Sequence, residues 1–184
     1  IKISMTTDSM MEDEIIVTAS RVGEKTPLTY SEVTSNELKK SNQGTDLPFL
    51  LQNTPSVIVS SDAGAGVGYT SMRVRGSDLT RINVTLNGVP INDAESSLVY
   101  FVDLPDLASS VDNIQIQRGV GNSSNGAAAF GASINIKTDE QTTEPFARLS
   151  SSVGSFNTLK NTLNFSTGRN KNGFNVNGRI SKIN

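Results

Sequence analysis

Residues 111–138 read VDNIQIQRGVGNSSNGAAAFGASINIKT, with two alternating runs on either side of a loop of small residues. In each run apolar residues recur at every second position, which is the period of a half-buried β-strand. The loop at 119–131 consists of Gly, Ser, Asn and Ala, apart from Val120 and Phe130. Such a loop either binds a phosphate through its backbone amides or lets the backbone lie close to a neighbouring surface.

The loop lacks the residues of a phosphate-binding motif. Gly121 and Gly126 have the spacing of a Walker loop, but Ala127 stands where that motif has its phosphate-binding lysine. The residues that follow lead into a strand, whereas the phosphate needs the N-terminus of a helix. The sequence therefore argues against a nucleotide-binding enzyme.

A second glycine-rich run, 64–69, fails as a dinucleotide motif. Tyr69 occupies its third glycine position, and the residues after it read as a strand where the motif needs a helix. Close packing explains the loop at 119–131 better than ligand binding does, and a flexible loop in solvent is the alternative. The glycines that we expect to pack closely are Gly119, Gly121, Gly126 and Gly131.

The composition excludes several classes of protein. The 184 residues carry 18 acidic and 16 basic side chains, a net charge of −2, so no basic field attracts nucleic acid. Histidine and cysteine are both absent, which removes the commonest general base, the commonest metal ligand and any thiolate nucleophile. We expect no catalytic residue, no metal site, no cofactor and no enzymatic activity.

The first half of the chain carries helix signals. Thr34 and Glu37 have the spacing of a capping box ahead of Leu38, which predicts a helix start. Residues 46–52 predict a second short helix, since Pro48 is tolerated in a first helical turn.

Strand signals dominate the rest of the first 138 residues. Residues 57–59 predict a buried strand, and alternating runs recur up to residue 138. The pair Asn87-Gly88 between apolar residues predicts a tight turn. These signals together predict one small mixed α+β domain over 26–138.

The chain alternates again after residue 146. Leu159, Leu163 and Phe165 fall on one face of a strand, and Lys160 and Thr162 fall on the other. Two further runs of residues alternate between two faces in the same way. This alternation is typical of transmembrane β-barrel strands. A half-exposed sheet of a soluble protein is the alternative. Three strands cannot close a barrel, since the smallest use about eight, so we expect a piece of a larger protein.

Four stretches of the chain, taken in order, form a pattern. They are DEIIVTASR at 13–21, LPFLLQNTPSVIVSS at 47–61, MRVRGSDLTRINVTLNGVPIND at 72–93, and the segment at 111–138. Together they resemble the plug domain of TonB-dependent outer-membrane receptors, and the sequence is most similar to the Bacteroidetes type. The resemblance implies an α+β plug domain, a small mixed sheet with short helices. The first antiparallel strands of a transmembrane β-barrel of about 22 strands would follow it.

The resemblance also implies a division of the chain into segments. Residues 1–25 would be a mobile N-terminal arm, with 1–5 left open as the end of a preceding small β-domain. The plug domain would span 26–138. A linker at 139–145 would lead to the first three barrel strands at 146–184.

The resemblance implies roles for three groups of residues. For each group the alternative is that its residues are ordinary surface positions. Extended residues 14–19 would form the TonB box, which adds a strand to a partner sheet. Two strand-end arginines would pair with barrel glutamates and lock the plug in place. Two outer loops would face the substrate. The residues are Glu14, Ile15, Ile16, Val17, Thr18 and Ala19 (TonB box), Arg75 and Arg118 (lock), and Tyr69, Asp93, Ser96 and Tyr100 (substrate).

The function implied is TonB-dependent active transport across the outer membrane of a Gram-negative bacterium, with the arm in the periplasm. The plug would gate the barrel and be remodelled when TonB, energised by an inner-membrane complex, pulls on the box. Expected partners are TonB, outer-membrane lipid and a small molecule or chelate such as a siderophore or cobalamin. A surface lipoprotein partner is left open. The alternative is a soluble extracytoplasmic binding or adhesion module with the same mixed fold.

Overall fold

The computed structural model describes residues 21, 28–120, 129–138, 142–154, 157–170 and 173–184. The predicted TonB box, Gly121 and Gly126 lie outside the described residues. The elements in chain order are β1 (Tyr30–Thr34), α1 (Ser35–Ser41), α2 (Leu47–Leu50), β2 (Val57–Ser61), β3 (Thr70–Val74), β4 (Ile82–Leu86), β5 (Val89–Pro90), β6 (Val111–Arg118), β7 (Ala132–Thr138), β8 (Phe146–Val153), β9 (Leu159–Ser166) and β10 (Asn177–Ile183). Short 3₁₀ helices span Leu79–Arg81, Phe101–Asp103 and Leu107–Ser110.

Both predicted helices are confirmed. Thr34 is the N-cap of α1, and its backbone amide donates to Glu37 Oε2 at 2.8 Å, as a capping box requires. Pro48 lies in the first turn of α2. Strand β1, which ends at the same Thr34, was not predicted, because the helix signals of this segment are stronger than those of a five-residue strand.

A five-stranded sheet in the order β1-β6-β7-β4-β5 forms the centre of residues 28–138, called here the α+β region. Strands β4 and β7 are parallel, and the other neighbours are antiparallel. One face of this sheet is a fully buried apolar layer, which forms one core with Leu38 of α1 and Leu47 and Leu50 of α2. The layer consists of Ile82, Val84, Ile114, Ile116, Ile134 and Ile136.

The opposite face of the same sheet is polar and also buried. Its residues are Asn83, Thr85, Gln115, Gln117, Ser133 and Asn135. Thr85 Oγ1 donates to Asn135 Oδ1 at 2.7 Å. Among the described residues, however, both polar side-chain atoms of Gln117, together with Asn83 Oδ1 and Ser133 Oγ, have no hydrogen-bond partner. Buried groups without partners are costly, so this face weakens the sheet.

The predicted tight turn connects β4 to β5. Asn87 and Gly88 have φ values of +50° and +82°. A type I′ hairpin turn requires a positive φ at both of its central residues, and these two residues meet that requirement. β2 and β3 form a separate antiparallel pair, and the loop at 62–69 connects them. The strand predicted at 57–59 is present, but it is not buried throughout, because Ile58 is 66% exposed.

Strands β8, β9 and β10 form a second antiparallel sheet with two unlike faces. Leu149 and Ile180 both pair with Leu163, and this outer face is exposed, with Ile180 at 66%. The other face carries Lys160 and Thr162, which are buried against the α+β region. The predicted alternation of faces is confirmed for β9, where Lys160, Thr162 and Ser166 are buried, whereas every residue of β8 is exposed. No helix in the described ranges is long and apolar enough to cross a membrane.

Candidate functional site

Two loops of the α+β region, 62–70 and 92–101, meet around a cavity of about 170 Å³. Tyr69 and Tyr100 both line it, and the exposed fractions of these side chains are 71% and 43%. The remaining walls are mainly apolar, with Leu98 and Val102 among them. The arrangement offers aromatic faces and phenolic hydroxyls to a molecule outside the region.

The other two residues predicted to face substrate hold the loop in shape. Asp93 Oδ2 accepts hydrogen bonds from the backbone amide of Ser96 at 2.7 Å and from its hydroxyl at 2.8 Å. These bonds keep the pKa of Asp93 below its ordinary value of 3.8. The Tyr100 hydroxyl donates to Ser96 Oγ at 3.2 Å, so Asp93, Ser96 and Tyr100 form one chain of hydrogen bonds.

Sequence analysis did not identify Asn92, which ties this loop to the central sheet. Its Oδ1 accepts from the backbone amide of Val84 at 2.8 Å, and its Nδ2 donates to the carbonyls of Ile82 at 2.9 Å and Ser97 at 3.0 Å. An asparagine that satisfies three backbone groups holds a loop as a turn would. The signal available in the sequence was only an Asn beside Asp93, which is common in loops.

The two predicted lock arginines lie near each other at the ends of β3 and β6. A Cβ built on Gly119, the residue that follows Arg118, would lie 3.5 Å from Arg75 Nη1. The guanidinium of Arg75 therefore lies beside Gly119. Arg118 Nη1 donates to Ser31 Oγ at 2.8 Å, so this guanidinium is bound to β1. Neither arginine pairs with a carboxylate among the residues that the structure describes.

The base of the glycine loop is closed by the α+β region itself. Gly119 N donates to the carbonyl of Gly131 at 2.9 Å, and Gly131 N donates to the carbonyl of Arg81 at 2.8 Å. A Cβ on Gly131 would lie 2.4 Å from Ser77 Cβ, which no side chain tolerates. The close neighbour of Gly131 is thus Ser77.

A buried ionic cluster joins the α+β region to β9 and β10, with Asp106 at its centre. Lys160 Nζ lies 2.5 Å from Asp106 Oδ1, and Arg179 Nη1 lies 2.7 Å from Oδ2. The hydroxyls of Ser109 and Ser181 donate to the same carboxylate at 2.6 and 2.5 Å. One carboxylate of the α+β region therefore contacts two cations of the strands.

The cluster stabilises the ionised form of Asp106. Burial alone would raise the pKa of this carboxyl, but hydrogen bonds from Lys160, Ser109 and Ser181 outweigh burial and keep the pKa below 3.8. Asn42 extends the cluster, because its Oδ1 accepts from Lys160 Nζ at 2.8 Å. Nothing in the sequence distinguished Asp106, which stands in a loop that reads as a surface turn.

Comparisons with known proteins agree with this architecture. The sequence model of the TonB-dependent receptor plug domain matches residues 23–133, more than half of the chain. No curated protein matches the chain.

Solved structures with a similar fold include three receptors. For the pyoverdine outer membrane receptor FpvA of Pseudomonas aeruginosa, the TM-score is 0.65 at 18% identity, over 86% of this chain and 22% of that one. For the siderophore receptor PiuA of Acinetobacter baumannii, the TM-score is 0.64 at 19% identity, over 86% and 21%. For the ferric yersiniabactin uptake receptor FyuA of Yersinia pestis, it is 0.61 at 17% identity, over 85% and 24%.

At these identities the likeness concerns the fold, and the chain spans about a fifth to a quarter of the length of these receptors. The family match covers the two helices, both loops around the cavity, and the central sheet up to the start of β7. The α+β region is called the plug domain below. The chain belongs to the family of TonB-dependent receptor plug domains.

Proposed function

We propose that this chain is the gating part of a TonB-dependent active transporter of the outer membrane. The observation that carries the proposal is a plug domain whose Asp106 contacts polar side chains of β9 and β10, while Leu163 and Ile180 are exposed on the opposite face of these strands. A sheet with lipid on one side and a polar lumen on the other has these two faces. In this proposal β8–β10 are the first strands of a barrel of about 22 strands, after a linker at 139–145.

Energy for transport would enter through the N-terminal arm. Residues 14–19 would be the TonB box in the periplasm, and they would add a strand to a sheet of TonB. Pulling on this segment would remodel the plug domain and open a path for the substrate. Arg75 and Arg118 would pair with barrel glutamates in the closed state, in a receptor of the Bacteroidetes type.

The proposed substrate is a small molecule or metal chelate taken up intact. Related folds include a receptor bound to pyoverdine and one for ferric yersiniabactin, which favours a siderophore over cobalamin. Tyr69 and Tyr100 would contact part of this ligand, since aromatic and hydroxyl groups around an apolar cavity suit an organic chelate. Asp93 and Ser96 would hold the loop in shape behind them.

The proposal is tested by deletion of the box in the full polypeptide that carries this chain. We expect deletion of 14–19 to abolish energy-dependent uptake of a radiolabelled ferric siderophore while binding to cells is retained. Deletion of 6–11, an equal length of the same arm, is the matched control and should leave uptake within about twofold. Uptake that survives the loss of 14–19 would contradict the proposal.

The same cells distinguish the alternative function. A transporter remains in the outer-membrane fraction after a carbonate wash, whereas a soluble binding or adhesion module is released. Release of the folded polypeptide would favour the module, because the apolar outer face of β8–β10 would then have no lipid to contact.

A further inference from the structure

We propose that Asp106 is an anchor that fastens the plug domain to β9 and β10 through Lys160 and Arg179. Its polarity is the reverse of the predicted arginine lock, because here the plug domain supplies the carboxylate and the strands supply the cations. The role of this anchor in gating rests on the proposed transport function, but the contact itself does not.

Both oxygens of the Asp106 carboxylate accept hydrogen bonds from more than one donor. Oδ1 accepts from Lys160 Nζ at 2.5 Å, from Ser109 Oγ at 2.6 Å and, at 3.4 Å, from Asn42 Nδ2. Oδ2 accepts from Arg179 Nη1 at 2.7 Å and from Ser181 Oγ at 2.5 Å. Donors from the plug domain and from the strands thus meet on one buried group, which links the two parts directly.

Burial makes this contact different from a surface ion pair. The side chains of Asp106 and Lys160 are 4% and 7% exposed. A charge removed from water is stable only if it is paired and hydrogen-bonded, so each partner holds the other in place. Exposed pairs, in contrast, contribute little.

The backbone of Asp106 has a φ of +52°, which lies in the left-handed region. Aspartate and asparagine tolerate this region better than most other residues, so an asparagine at position 106 suits the same backbone.

The charges of the cluster do not balance, and this predicts the effect of its loss. Two cations face one anion, so removal of the Asp106 charge leaves Lys160 buried and close to Arg179 without compensation. Removal of Lys160 leaves Asp106 paired with Arg179. We therefore expect loss of the carboxylate to loosen the contact more than loss of either cation.

The test uses hydrogen exchange in the full polypeptide that carries this chain, purified in detergent without TonB. The variant D106N keeps the left-handed backbone and the shape of the side chain while removing the charge. We expect amides in 106–112 and 177–183 to exchange at least tenfold faster, while those of β4 and β7 keep their protection. D112N is the matched control, since Asp112 accepts from its neighbour Asn113 and forms no ion pair among the residues that the structure describes. It should exchange as the wild type does.

A second variant separates the anchor from a general effect on folding. If Lys160 is left as an unpaired buried cation in D106N, the double variant D106N/K160M should exchange more slowly than D106N alone. Unchanged exchange in D106N, or exchange that rises equally throughout the plug domain, would overturn the proposal. If D106N does not fold, R179M and K160M decide: unchanged exchange at 106–112 in both would overturn it.

The gating role has its own readout. Cells that carry D106N should become more sensitive to vancomycin, which does not cross a closed outer membrane, and D112N cells should not. Failure of siderophore uptake in the wild type would remove the proposed transport function without changing the exchange result. If D106N exchanges faster but its cells do not become more sensitive to vancomycin, the anchor only stabilises the contact between the plug domain and the strands. That result would overturn its role in keeping the transporter closed.

Discussion

Single small or polar residues fix the parts of this plug domain that the proposed function uses. Asn92 satisfies three backbone groups and ties one outer loop to β4, while Gly131 allows the end of the glycine loop to lie against Ser77. Each acts through a contact that a slightly different side chain could not make. The loops that face the cavity are therefore held by the central sheet, and their exposed residues are free to contact a ligand.

Gly131→Ala should destabilise the plug domain by about 1–3 kcal/mol, the usual cost of overpacking a fixed contact. The new Cβ would lie 2.4 Å from Ser77 Cβ and 3.1 Å from the carbonyl oxygen of Arg81, so the backbone must shift. Chemical denaturation of the full polypeptide measures the change. Gly154→Ala is the control, because its new Cβ would lie 3.4 Å from Thr158, an ordinary contact. Equal stability of both variants would contradict the packing role, and Ser77→Gly should restore part of the loss.

At the scale of secondary-structure elements, the sequence predicted the positions of helices and strands better than the burial of their faces. The helices at α1 and α2 and the strands with alternating apolar residues were recognised, because local propensity and burial agree there. Strand β1 was not, because it is short and runs directly into the capping box at Thr34. Alternation along β6 and β7 indicated a solvated polar face, yet Gln117 and Ser133 are buried. Periodicity shows that a face is polar but not whether something covers it.

The buried polar face makes a prediction about the central sheet. Ser133→Ala removes a hydroxyl that is 1% exposed and has no hydrogen-bond partner among the described residues. Because an unsatisfied buried group costs about 1–3 kcal/mol, we expect this variant to be more stable than the wild type. Thermal unfolding of the plug domain within the full polypeptide would show a higher midpoint. The control Thr85→Ala removes a hydroxyl that donates to Asn135, and it should lower the midpoint instead. A lower midpoint for Ser133→Ala would show that its hydroxyl has a partner after all.

At the scale of the whole molecule, the contact between the plug domain and β8–β10 is largely polar. Lys160, Arg179 and Ser181 meet Asp106 and its neighbours, and Ile183 lies beside Gly44. Polar groups can exchange protein partners for water at modest net cost, which buried apolar surface cannot. A contact of this kind suits a domain that must stay closed yet separate under force. The sequence did not reveal it, because the partners lie more than 50 residues apart in the chain.

This contact should depend on pH in a direction set by Asp106. Since the pKa of its carboxyl lies below 3.8 in the folded protein, ionised Asp106 contributes stability above that value. The contribution is lost as pH falls through the folded pKa, where the acid form can no longer accept both cations. We expect D106N to be less stable than the wild type by the same amount at pH 7 and at pH 5, roughly one unit above the ordinary pKa.

The difference should shrink below about pH 4, because the unfolded wild type then binds a proton at Asp106 that the folded protein does not bind. It should vanish once the pH lies below the folded pKa, where the folded wild type also carries a neutral group at this position. Denaturation midpoints of both proteins at pH 7, 5 and 3 measure it, and taking their difference cancels the titration of all other carboxylates. D78N is the control, since Asp78 is only partly buried and its lowered pKa comes mainly from hydrogen bonds with the nearby Thr80. It should change stability far less than D106N at neutral pH. A D106N difference that stays constant down to pH 3 would mean that shape at this position, and not charge, holds the plug domain on its strands.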